Sequence, residues 1–89
     1  MTNTEKARKI VVDYFNKHAD VTDHKQITME NVYVVWYNYT LGNWKALVST
    51  TVPDGMYYEV THNIDKNETY LDVYKKWENI IFKGWYYGR

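Results

Sequence analysis

The residue types able to do chemistry are few. In a chain with no cysteine, a metal would have to be held by His18, His24 and His62 with carboxylates such as Asp20, Asp23 and Asp65. None of these stands at a ligand spacing of known specificity, such as two histidines at i and i+4 on a helix. No metal site is therefore expected, and His18 reads as a partly buried structural histidine. The single serine, Ser49, has no glycine-rich elbow around it and no oxyanion donor in view. Glycines at 42, 55, 84 and 88 are scattered, so no loop is built to cradle phosphate. Paired carboxylates need a cleft to separate their pKa values, and Glu59 reads more simply as a cross-strand partner of Lys45 or a neighbour. The expectation is a protein without catalytic residues or cofactor, not an enzyme.

Aromatic side chains are the other resource. Ten tyrosines, four tryptophans and two phenylalanines make up 18% of 89 residues. A domain of this size cannot bury them all, and Tyr and Trp suit half-exposed positions because each joins an apolar ring to a polar group. Tyr33, Trp36, Tyr37 and Tyr57 could stack nucleic-acid bases, but the charge balance is 11 basic to 11 acidic. Lys6, Arg8 and Lys9 lie at one end, Lys75 and Lys76 at the other, and Lys45 alone lies within a strand. Phosphate neutralisation needs clustered cations, so nucleic acid is disfavoured. A protein-binding surface accounts for more, with Trp36, Tyr37, Tyr57, Trp85, Tyr86 and Tyr87 as the candidate contacts. The alternative is a nucleotide-type ligand, stacked by Trp36, Tyr37 and Tyr57 and met by Lys45 with Arg89 or another subunit's basic residues. The plainer competitor is that the rings only close the rim of a small core.

Those residues must be positioned by regular elements. Ala7, Ile10, Val11, Tyr14, Phe15 and His18 form a helical stripe, with Thr2 and Glu5 as a capping box, predicting a helix over 2–19. Asp13 and Lys17 would pair on its polar side. Residues 20–30 show no period. β-branched and aromatic runs predict strands at 32–39, 44–51 and 56–62, with turns at Leu41-Gly42-Asn43 and Pro53-Asp54-Gly55. A three-residue loop at the second turn sets Val52 opposite Met56 and Val48 opposite Val60. From Thr69 the spacing of Tyr70, Val73, Tyr74, Trp77, Ile80 and Ile81 predicts a second helix over 68–83, capped by Asp65 or Asn67 and ended by Gly84. An aromatic tail fills 85–89. The expected class is α+β: one domain spanning 1–89, with a three-stranded antiparallel meander and both helices on one face. The N-terminus, MTNTEKARK, lacks the apolar run of a signal peptide, which predicts a cytoplasmic setting.

The segments VYVVWYNYTLGNWKALVSTT, PDGMYYEVT and KNETYLDVYKKWEN, with the helix KARKIVVDYFNKH, resemble a family of small uncharacterised proteins. Tailed phages and prophages of Gram-positive bacteria encode them. The resemblance covers roughly residues 5 to 80, and the tail after Phe82 departs from it. It implies context, and no catalytic or binding residue is carried over. Small phage proteins outside the virion commonly act stoichiometrically on a host protein, components of antiphage defence included. By analogy, the resemblance implies a host bacterial protein as partner, in the host cytoplasm. The three adjacent rings Trp85, Tyr86 and Tyr87 predict, apart from the resemblance, a tail that crosses to a second copy and makes a homodimer, or one that folds back along the sheet edge as a short fourth strand.

Overall fold

A computed structural model describes residues 1–22 and 25–84, with side chains placed at all of these except 20–22. Helix α1 spans Asn3–Thr22. A 3₁₀ turn at Met29–Asn31 leads into strands β1 (Val32–Thr40), β2 (Asn43–Thr50), β3 (Met56–Asn63) and β4 (Glu68–Lys75). The sheet is antiparallel throughout, in the order β1-β2-β3-β4. The fold is α+β; the described residues form one α-helix and four strands where the sequence suggests two helices and three.

The start of α1 is the capping box its sequence suggests. Thr2 N donates to Glu5 Oε1 at 2.9 Å, and Glu5 N donates to Thr2 Oγ1 at 3.2 Å. These bonds hold the Glu5 carboxyl below its ordinary pKa, the backbone bond most of all. Ala7, Val11, Val12 and Ala19 are buried along one side. Two readings are corrected here. Asp13 pairs with Lys9, one turn earlier, instead of Lys17. His18 is exposed, its ring against Tyr14 at 4.1 Å and its Nδ1 within 2.9 Å of the Tyr14 carbonyl.

The connection after α1 is anchored by Asn16. Its Nδ2 donates to the Ile27 carbonyl at 2.9 Å and its Oδ1 accepts from the Ile27 amide at 2.8 Å. That clamp sets Ile27 into the core beside Val32, Trp44, Ala46, Val48, Tyr58 and Val60. The core therefore lies between α1 and one face of the sheet, and α1 runs over β1 and β2.

The three hairpins each follow local chemistry. Leu41 and Gly42 both have positive φ, 51° and 86°, the two-residue turn whose twist suits antiparallel strands. The next loop is longer than the three residues expected. The Thr51 amide donates to the Asn31 carbonyl at 2.8 Å, continuing the β1–β2 ladder past Thr50, and Thr50 Oγ1 accepts from the Val52 amide at 3.1 Å, while β2–β3 pairing ends at Val48 opposite Tyr58. The register becomes Val48 opposite Tyr58 and Ala46 opposite Val60, two residues from the expected one. An even slip leaves every side chain on the face assigned to it.

The second helix is replaced by β4. Asn67, read as a helix cap, instead takes the left-handed conformation at φ 50°, and its amide donates to the Ile64 carbonyl at 3.2 Å. Asparagine tolerates that conformation, and the turn sends the chain back along β3. Thr69, Leu71 and Val73 then alternate with Tyr70, Asp72 and Tyr74, a period of two beneath the period of 3.6. Beyond Lys75, residues 76–83 continue without helix or strand, and all are exposed.

Candidate functional site

Among the described residues nothing covers the face of the sheet opposite α1, and the composition of that face follows from the register. On β1 the alternation is broken once, by a bulge between Val34 and Trp36. Val32 and Val34 point toward α1, and beyond the bulge so do Tyr37 and Tyr39, opposite Ala46 and Trp44. Tyr33 and Trp36 point outward, opposite Ser49 and Leu47. On β3 and β4 the outward residues are Tyr57 opposite Tyr74, Glu59 opposite Asp72, and Thr61 opposite Tyr70. Five Tyr and Trp rings are thereby spread over one face. Trp36 and Tyr74 are each 50% exposed, and Tyr33 and Tyr70 are comparably open. Leu47 and Ser49 lie among them on β2. Ser49 is buried, and its hydroxyl donates to the Met56 carbonyl at 3.1 Å.

Charge on this face is unbalanced. Lys45 is the one cation among the outward strand positions, beside Glu59, Asp72 and Glu68. Lys45 Nζ lies 3.6 Å from Glu59 Oε1, the cross-strand pair expected from the sequence. The tyrosines are tied to the same carboxylates. Tyr70 OH donates to Glu68 Oε1 at 2.6 Å, and Tyr74 OH donates to Glu59 Oε1 at 3.5 Å. Both phenols titrate above their ordinary value. For Tyr70 the hydrogen bond to Glu68 is the main cause, and for Tyr74 the charge of Glu59. The phenols of Tyr70 and Tyr74 therefore stay neutral and are held beside these carboxylates as hydrogen-bond donors. A shallow cleft of about 280 Å³ beside Trp36, Lys45, Thr61 and His62 opens along β1–β3.

Of the residues singled out from sequence, Trp36 and Tyr57 share this face. Tyr37 does not: neighbours along a strand point to opposite sides, and its hydroxyl accepts from Asn3 Nδ2 at 3.0 Å, pinning the start of α1 to β1. Trp85, Tyr86, Tyr87 and Arg89 lie outside the described residues, as do Asp23 and His24. His62 stacks on Trp44 at 5.7 Å, with its Nδ1 2.9 Å from Thr69 Oγ1, on the α1 side. Tyr70 and Tyr74 were missed as surface residues. Their signal was the alternation with Asp72, hidden under the helical spacing.

No helix of the described residues is long and apolar enough to cross a membrane. The sequence profile of a family of unknown function, DUF6275, matches residues 4–84, from the first turn of α1 through the whole sheet. The chain belongs to that family. No curated protein matches it, and no solved structure matches it.

Proposed function

We propose that this DUF6275 chain is a non-catalytic binding protein that docks another protein on the open face of its sheet. One observation carries the reading: Tyr33, Trp36, Tyr57, Tyr70 and Tyr74 stand together on the face that α1 leaves uncovered. Rings with few rotatable bonds bind at small entropic cost and recur at the centres of interfaces. Three carboxylates against one paired lysine suit a partner surface that brings Arg or Lys. Such cations meet the carboxylates directly and the ring faces by cation–π contact. The resemblance to small phage-encoded proteins makes a host bacterial protein in the cytoplasm the partner we propose, a component of antiphage defence among the choices.

The test compares the tagged chain with Trp36→Ala/Tyr74→Ala as bait in lysate of a Gram-positive host. Both side chains point outward, so far-UV circular dichroism and melting should stay close to wild type. The expected result is a partner retained by wild type, lost from the double variant, and released by raised salt. Equal capture by both proteins, or reproducible capture of nothing, defeats the proposal.

A nucleotide-type ligand is the lesser reading, favoured by the cleft beside Trp36. Its one lysine is already engaged by Glu59, and the neighbouring carboxylates would repel phosphate. A nucleotide at a hundredfold its dissociation constant should add about 2.7 kcal/mol in a thermal-shift screen. No shift removes it.

A further inference from the structure

The two edges of the sheet differ. The β1 edge is blunted by its bulge, and the Arg8 guanidinium donates to the Met29 and Val32 carbonyls where the strand begins. β4 has eight residues, no proline and no bulge, and among the described residues no strand lies beyond it. The chain leaves β4 as an arm, residues 76–83, without helix or strand, that exposes large apolar side chains. Trp77 is 91% exposed, Ile80 61% and Ile81 75%. The arm cannot easily reverse onto its own body. The Lys76 amide donates to the Gly55 carbonyl at 2.7 Å, prolonging the strand direction. No glycine or proline follows until Gly84, and Asn79, the other turn former, comes after Trp77.

We propose that a second copy of this chain covers both features. Two β4 strands pair antiparallel about a two-fold axis at Leu71, and each arm crosses to the partner copy. The register follows from face and charge. Facing residues must share a side of the joined sheet, so only every second register is open. Centred on Leu71, the pairing sets Leu71 against its own copy and Val73 against Thr69 on the α1 side. On the open face it sets Tyr70 against Asp72 and Tyr74 against Glu68, a phenol to a carboxylate each time. The neighbouring in-phase registers put like charges together: Asp72 against Asp72, or Glu68 against Asp72.

In the Leu71 register, Trp77 falls opposite the turn at residues 64–67 of the other copy. Trp77 and Ile81 continue on the α1 side of the sheet, which is where a cleft of about 540 Å³ opens, lined in part by Ile10, Trp44, His62, Ile64 and Thr69. Eight extended residues reach about 26 Å, enough to cross it. The exposed arm side chains amount to roughly 500 Å² per copy at ordinary residue sizes. With the surfaces they cover, two arms bury about 2,000 Å², against about 1,600 Å² for a standard stable interface. The inference is independent of what the open face binds.

Light scattering on the full chain at about 50 μM should give twice the 10.8 kDa of one copy. Trp77→Ala/Ile81→Ala removes two side chains that the single copy leaves in water, so its circular dichroism should match wild type while its mass falls to that of one copy. In this cysteine-free chain, Leu71→Cys should give a disulfide-linked dimer on mild oxidation, and Leu41→Cys, exposed on a turn, should not. A full chain that scatters as a monomer overturns the proposal. So does a dimer that survives the double substitution, or one that does not crosslink through position 71.

Discussion

Asn16→Ala is the substitution whose cost follows most directly from the structure. Asn16 bonds both backbone groups of one core residue, at 2.9 and 2.8 Å to Ile27. Each bond contributes about 1 kcal/mol net, so losing both costs about 2 kcal/mol. Alanine is the better helix former by about 0.5 kcal/mol, which offsets part of the loss. The net effect is about 1.5 kcal/mol, and for a domain of this size that lowers Tm by roughly 6–12 °C. Urea denaturation followed at 222 nm measures the free energy. Hydrogen exchange gives the local readout, because the Ile27 amide should lose more protection than the global change explains. The reasoning fails if the cost is below about 0.5 kcal/mol. It fails equally if the Ile27 amide exchanges freely in wild type, since the clamp would then not hold in solution.

Two further outcomes test the sheet. Burial pushes the Tyr58 phenol up to about 12, with Asp54 and Tyr14 adding to it. The unfolded chain releases that proton near its ordinary 10, so the stability is fully present below about pH 10 and is lost as pH rises to about 12. Urea midpoints across that window should fall in wild type and fall less in Tyr58→Phe; equal slopes would remove Tyr58 as a cause. Gly42→Ala should cost about 1–2 kcal/mol by equilibrium unfolding, because φ is 86° and the new Cβ would lie 3.2 Å from Ile64 Cγ1. Adding Ile64→Ala should relieve the contacts to Cγ1 and Cγ2 but not the one to Ile64 Cβ, at 3.3 Å, and should leave the dihedral cost; full recovery would show that φ is not the constraint.

Where the sequence carried one period, it was legible. The stripe from Ala7 to Phe15 predicted α1, and the Thr2–Glu5 box placed its start. The hairpin of β2 and β3 kept its faces through a two-residue error in register. The segment after Asn67 carried two periods at once: Tyr70, Val73 and Tyr74 fit a helix, while Thr69, Leu71 and Val73 fit a strand. Pairing with β3 decided between them, and that is a tertiary fact. The same ambiguity hid Tyr70 and Tyr74 from the candidate site. Trp36 and Tyr37 were grouped because β1 is apolar on both sides, which leaves no signal of which side is core. Ile27 was passed over because its reason to be buried is a side chain eleven residues earlier.

The bulge in β1 has a consequence for chain length. In a regular strand, removing one residue inverts every side chain beyond the cut. Here Val35 is the extra residue: pairing sums run in one phase through Val34 and Val48, and in the next from Trp36 and Leu47. Deleting Val35 would join the two phases into an unbroken ladder, with Tyr33 and Trp36 still outward and Val34 and Tyr37 still toward α1. At this point β1 can lose one residue and present the same surface. A residue removed beyond Trp36 has no bulge to absorb it, and the side chains that follow would turn to the other face.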